Sequence, residues 1–563
     1  MQSGAIEMRY LPALFLTFCL PLGLLMRGVF PVWGNMLFIA GLFGLGFGLF
    51  DLLQRRHSIL KNYPLVARLR FLLESIRPEI RQYFLESDHE EVPYSREQRA
   101  LIYSRSKNLD GVRPFGTLKN VHGIGHEWIN HSIVPTQLAN GSFRVSIGGR
   151  NCQKPYDSSV LNISGMSYGA LSPTAIEALN LGAQIGEFAH TTGEGSISRF
   201  HKKHGGGLIW QIGSGYFGCR GPEGGFDQQA FARLAADDQV KMIEVKLSQG
   251  AKPGHGGVLP GSKVTEAIAE ARGVPLGEDC ISPASHSAFS TPLELVRFVD
   301  LLRRLSGGKP VGIKLCIGHP WEFFAIAKAM QTLGKYPDFI TVDGAEGGTG
   351  AAPIEFADHV GAPLREGLML VHNTLVGLNI RDQVKIVASG KLVSAFDMAR
   401  AFALGADVCN MARGFMFSIG CIQAQACHTG KCPTGVTSQD PGRYRAIHVA
   451  EKHKRVANFH ENTVHALIET IEACGLEHPK QLSPHHLMIR VNSREVRSAA
   501  SQYDWLKRGA LLREEEISHP TFQKFWEGSK AFTFSIQQHQ NNQTAVSVPV
   551  PQQLQKSAMA VNA

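Results

Sequence analysis

Phe339-Ile340-Thr341-Val342-Asp343-Gly344-Ala345-Glu346-Gly347-Gly348-Thr349-Gly350 decides the fold. A short apolar and β-branched run, the length of one buried strand, passes directly into a polar, glycine-rich turn. The same grammar recurs along the chain. Val160–Ile163, Lys241–Leu247, Val311–Leu315, Val384–Ala388 and Asp407–Asn410 are further candidate strands. Helical stretches fall between them at Thr291–Leu305, Trp321–Leu333 and Val393–Leu404. The βαβ pattern predicts an α/β fold, a (β/α)8 TIM barrel, with a doubly wound sheet as the alternative.

Outside this region the chain changes character. Tyr10–Met26 and Val29–Phe50 are uncharged apolar runs separated by a turn with Arg27 and Gly28. Each approaches the ~20 residues that cross a bilayer core, so residues 1–60 read as a transmembrane helical hairpin. A cleavable signal could explain the first run alone, but no Ala-x-Ala site follows and the second run begins at once. Arg55, Arg56, Lys61, Arg68 and Arg70 cluster after the second run. The positive-inside rule then predicts a multi-pass protein of the cell (inner) membrane with its catalytic body cytoplasmic. That cluster also accounts for part of the net charge of +9 without nucleic acid, for which no motif is present.

Residues 61–144 read as a helical and irregular connector over the body, 145–482 as the barrel and 483–535 as a C-terminal extension. Residues 536–563, rich in Gln, Asn, Ser and Pro, read as a disordered tail. The 59 glycines and 19% charged residues describe a loop-rich globular enzyme. Ten scattered cysteines fit a reducing compartment better than a disulfide framework.

In a barrel, chemistry belongs at the carboxyl ends of the strands. There the chain places Ser164-Gly165-Met166-Ser167-Tyr168-Gly169, small residues that let a flat ring approach the backbone. Thr191-Thr192-Gly193-Glu194-Gly195 and Ser248-Gln249-Gly250-Ala251-Lys252-Pro253-Gly254 occupy further strand ends. Ser389-Gly390 and Arg413-Gly414 fall where phosphates bind, after the seventh and eighth strands. Lys314, inside a strand, would offer a fixed inward charge to a reduced flavin. Gln249, Lys252 and Arg272 suit a small dicarboxylate, since arginine grips a carboxylate with two hydrogen bonds and lysine adds a point charge. Further on, Cys421-x5-Cys427-x4-Cys432-Pro433 reads as an iron–sulfur ligand loop, with a zinc knuckle or unrelated core cysteines as the alternatives.

Taken in order, Gly165-Met166-Ser167-Tyr168-Gly169, Thr192-Gly193-Glu194-Gly195, Ser248–Gly254, Asp343–Ala351 and Cys421–Val436 resemble the FMN-binding synthase domain of glutamate synthase. The similarity runs from about Val145 to Leu482 and includes Gln211–Gly218. It implies FMN held near Met166, Ser167, Gly169, Thr192, Glu194, Gln249, Lys314, Gly347, Gly348, Thr349, Ser389, Gly390, Arg413 and Gly414. It implies a 3Fe-4S cluster on Cys421, Cys427 and Cys432, and oxoacid binding by Gln249, Lys252 and Arg272.

The implied reaction condenses 2-oxoglutarate with ammonia and reduces 2-iminoglutarate to L-glutamate. The amidotransferase part of that family, with its nucleophilic cysteine, has no counterpart in Met1-Gln2-Ser3 and the run that follows, and no Gly-x-Gly-x-x-Gly dinucleotide signature stands out. Ammonia and electrons are therefore expected from outside, the latter from an unidentified donor protein. An N-methylglutamate-synthase-like exchange of amine, and a membrane electron-transfer flavoprotein subunit, are the alternative functions. Retention of Gln249, Lys252 and Arg272 together favours an enzyme.

Overall fold

The structure, a computed structural model, describes residues 10–90, 93–109, 111–138, 142–513 and 517–536. It divides into two compact units, one ending at Glu97 and one beginning at Gln98.

The first unit opens with α1 (Leu11–Met26) and α2 (Pro31–Leu53). The helices run antiparallel at close range because α2 presents glycines to α1. A Cβ on Gly41 would lie 2.6 Å from the Leu20 nitrogen, and one on Gly44 would lie 2.5 Å from the Leu16 Cβ. Small residues at such a seam let two apolar helices gain close packing where no hydrophobic effect separates helix from lipid. Among the described residues α2 is the one helix long and apolar enough to cross a membrane. The 16 residues of α1 span about 24 Å at 1.5 Å each, short of a hydrocarbon core of about 30 Å. The expectation of two spans, and with it a multi-pass topology, is therefore not supported.

In the second unit eight parallel strands close into a barrel. They are β1 (Leu161–Ile163), β2 (His190–Thr191), β3 (Leu208–Ile212), β4 (Val240–Lys246), β5 (Val311–Leu315), β6 (Phe339–Asp343), β7 (Lys385–Ser389) and β8 (Val408–Met411). β8 pairs with β1 through Asn410 and Asn162, which completes the ring. The strand β3 is not anticipated by the sequence reading. It is five residues long behind three glycines, and β2 beside it has only two, so periodicity has little to act on.

Helix starts are written locally. Thr291 and Glu294 form a reciprocal capping box at the start of Pro292–Leu305, as Ser394 and Asp397 do for Ala395–Ala403. Residues expected to be connector or extension meet in one small sheet, in which Glu127–Ile129 pairs with Leu487–Arg490 and that strand with Val496–Ser498. The Glu127 carboxylate fastens this sheet to the barrel helices, accepting from Arg365 at 2.6 Å and Arg400 at 3.0 Å. The tail expected from residue 536 lies, beyond Ile536 itself, outside the described residues.

Candidate active site

The barrel interior changes from apolar to polar along the strands. Ile209, Met242, Phe339, Val387 and Val408 pack with Ala189 and Ile147 as an apolar floor. A strand returns to the same face every second residue, so the next inward positions toward the carboxyl ends are Gln211, Glu244, Thr341, Ser389 and Asn410. All five are buried. The Glu244 carboxylate accepts from Gln211 Nε2 at 2.6 Å and from Thr341 Oγ1 at 2.5 Å.

One layer higher, Lys314 Nζ lies 3.5 Å from Asp343 Oδ2. Asp343 also accepts from the Gly250 N–H at 2.9 Å and from Ser389 Oγ at 2.8 Å, and Ser389 Oγ lies 3.3 Å from Ser164 Oγ. Burial by itself would depress the Lys314 pKa. Asp343, Glu244 and Glu194 outweigh it and hold that pKa above the ordinary lysine value, so the ammonium is a fixed charge inside the barrel.

At the mouth, the loops are laced together. Lys246 Nζ reaches Glu194 at 3.1 Å and Gln249 Oε1 at 3.1 Å, while Gln249 Nε2 donates to the Gly348 carbonyl at 3.2 Å. Arg413 donates to the Thr349 carbonyl at 2.6 Å, joining the loops after β6 and β8. Gly193 has φ +70°, and a Cβ there would lie 2.4 Å from the Ser167 nitrogen, so this approach of the loops after β1 and β2 requires glycine.

Two cations stand apart from these pairs. Lys252 lines a pocket with Glu194, Ser214, Lys246, Gln249 and His255, and among the described residues its Nζ has no ion-pair partner. Burial lowers its pKa, against the pull of Glu194. Arg272, 7% exposed, donates to the Tyr168 carbonyl at 3.1 Å and to Cys280 Sγ at 3.4 Å, and its Nε has no partner. Burial would raise the Glu194 carboxyl, but Lys246 first, then Lys252 and Arg272, bring its pKa below the ordinary value. All three cations therefore converge on one region.

The structure places every residue picked out for the flavin on the carboxyl-end side of the barrel. Met166, Ser167 and Gly169 follow β1, Thr192 and Glu194 follow β2, and Gly347, Gly348 and Thr349 follow β6. Ser389 ends β7 with Gly390 next, and Arg413 and Gly414 follow β8. Thr192 and Gly414 also have structural duties. Thr192 Oγ1 accepts from the Gln211 N–H at 3.1 Å, and a Cβ on Gly414 would meet the Phe459 ring at 3.0 Å. Glu244, Lys246 and Asp343 were not singled out. Their signal was present as charged residues at alternate positions of strands that are otherwise apolar and buried.

Cys421, Cys427 and Cys432 are free thiols on one loop after β8. Burial pushes Cys421 up to about 11, with smaller upward contributions from Cys427 and Cys432 nearby. For Cys432 burial is outweighed by hydrogen bonds from Thr437 and Thr434, which bring it below the ordinary thiol value. Although the three cysteines share one loop, among the described residues no three His, Cys, Asp or Glu side chains converge as a ready ligand group.

Residues 146–477 match a family profile described as a conserved region in glutamate synthase. A glutamate synthase large subunit-like protein of Bacillus subtilis is 39% identical over 78% of this chain and 90% of its own length. An archaeal-type glutamate synthase (NADPH) of Thermotoga neapolitana is 34% identical over 56% of this chain, and the match spans 59% of that protein. Among solved structures, mandelate oxidase with (S)-4-hydroxymandelic acid aligns with TM-score 0.41 at 14% identity, covering 76% of this chain and 99% of that one. That likeness bears on neither ligand nor reaction.

Proposed function

This chain belongs to the glutamate synthase family, and from that premise we propose that it is a flavin- and iron–sulfur-dependent oxidoreductase that converts a 2-oxoglutarate-like oxoacid and ammonia into L-glutamate or a close analogue. The observation that carries this reading is the pair of Lys252, which lines a polar pocket, and the buried Arg272, which acts with it on Glu194 of that pocket, with no carboxylate bonded to either. Their partner is supplied by the substrate, since a dicarboxylate satisfies both where a neutral ligand would leave buried charge unmet. Condensation with ammonia releases water and leaves an imine. Two electrons and two protons then give the amino acid.

The residues present fit FMN. Arg413, bonded in the structure to one carbonyl oxygen and to the Met416 sulfur, keeps donors for a phosphate at the loop after β8. Asn410 Oδ1 is buried without a partner, and Lys314 provides the inward charge. FMN bound there would supply the electrons for the imine, and Cys421, Cys427 and Cys432, three thiols on one loop, would be the donor set for an iron–sulfur cluster. Gln249 ties the substrate loop to the loop carrying Gly348, and the Glu194–Lys246 pair holds an exchangeable proton on Lys246 Nζ beside the pocket. In this reading ammonia is supplied externally, electrons come from a donor protein, and α2 tethers the enzyme to the cell membrane.

The direct test is to reduce the purified flavoprotein anaerobically and mix it with pairs of oxoacid and amine. Rapid reoxidation by 2-oxoglutarate with ammonia, and formation of glutamate, is the expected result. Reoxidation with methylamine in place of ammonia would move the assignment to N-methylglutamate chemistry. No reoxidation by any pair would overturn the enzymatic reading in favour of an electron-transfer subunit.

A further inference from the structure

Helix α3 (Val66–Ile80), in the first unit, carries two opposed faces. At 100° per residue Ala67 and Phe71 share one side, whereas Val66, Leu69, Leu72, Leu73 and Ile76 share the other. The first side is occupied, for Ala67 is 4% exposed and the Phe71 ring sits edge-on to His57 at 5.3 Å. The second is open. Leu69 is 57% exposed and Leu73 51%, and the apolar surface continues past the helix at Phe84, 83% exposed. Arg70, Arg77 and Arg81 follow one edge of this face. From Arg55 to Leu85 the chain has seven basic residues and two acidic ones.

The end of α2 fastens α3 in place. Asp51, fully buried in the last turn of α2, accepts from Arg68 Nε at 3.0 Å and Nη2 at 2.5 Å, and from the Leu65 N–H at 3.0 Å. The Arg68 guanidinium also lies over the Phe47 ring, 4.5 Å from its centroid. The open face therefore begins where the long apolar helix ends.

We propose that α3 lies in the plane of the membrane surface and binds anionic lipid, its leucines in the boundary between headgroups and acyl chains and its arginines on headgroup phosphates. An apolar stripe edged with arginine is the chemistry that such an interface selects, because long basic side chains bury their stems and keep their charge in the headgroup layer. Charge favours lipid over protein as the occupant: Arg70 and Arg81 meet only partly exposed acids, Glu74 and Glu90, and Arg77 has no partner among the described residues. The inference rests on α2 being inserted.

The test is hydrogen–deuterium exchange on the full chain in nanodiscs of phosphatidylcholine alone and of phosphatidylcholine with phosphatidylglycerol. Amides of residues 66–85 should exchange at least about tenfold more slowly in the anionic discs, with α2 protected in both. Each arginine at an anionic surface contributes about fivefold, so Arg70→Gln with Arg77→Gln should abolish that tenfold difference and leave the barrel's exchange unchanged. Equal exchange in both discs and in the double variant, with α2 protected, would overturn the surface helix and leave the tether standing. Slow exchange that depends on protein concentration rather than lipid would assign the face to a second copy and overturn the proposal. Rapid exchange of α2 in both discs would overturn tether and surface helix together.

Discussion

Lys252 and Lys314 sit in the same half of the barrel, and their surroundings move them in opposite directions. Lys314 has Asp343 and Glu244 to hold its charge, whereas Lys252 is partly buried with no carboxylate in bonding range. A depressed lysine loses its proton earlier as pH rises. Oxoacid affinity should therefore fall on the alkaline side, beginning below the ordinary lysine value, and KM measured against pH should show that limb. Lys252→Arg, which keeps its charge, should shift the limb upward. Lys252→Ala should lower kcat/KM for the oxoacid by about 10- to 100-fold, the worth of one charged hydrogen bond, while the flavin spectrum is retained. Asp343→Ala acts differently. It strands the buried Lys314 ammonium and should cost about 3–5 kcal/mol, read as a lower denaturation midpoint. Lys252 stands out in the sequence because a cation in a glycine-rich strand-end loop has few structural reasons to be there; Arg272, the last residue of the helix Glu266–Arg272, carries no such local signal. Glu244 and Asp343 do not stand out, since a carboxylate inside a strand acquires meaning only once the strand's two faces are known.

Elements follow from local signals more dependably than from propensity. Pro292–Leu305 begins where Thr291 can cap it and Glu294 can return the bond, a pattern readable in four residues. Thr291→Ala should destabilise the protein by about 1 kcal/mol, seen as a shift of the urea midpoint with unchanged slope and unchanged turnover. Strands β4 to β8 were found within a residue or two because each is an apolar run closed by a polar turn. β3 was missed, and β2 is so short that only its parallel neighbours define it. The hairpin at the N-terminus shows the converse limit: composition alone makes its two helices look alike, but among the described residues α2 alone is long and apolar enough to cross a membrane, and its glycines serve the seam between the two.

At the scale of the whole molecule, two predictions concern the cysteine loop and the long apolar helix. Cys427→Ser should lose iron and the paramagnetic signal of an oxidised three-iron cluster, while chemically reduced flavin is still reoxidised by oxoacid and amine; iron content equal to the parent protein would remove the cluster from this loop. Alkaline carbonate should leave the full chain in the membrane pellet if α2 is inserted, and release it if not. The sequence by itself determined the barrel class and the family, because alternation and strand-end glycine motifs are local patterns. The tertiary structure alone decided which charges meet. Glu194 and Lys246 are 52 positions apart in the chain and 3.1 Å apart in space, and no local pattern encodes a contact made by closing eight strands into a ring.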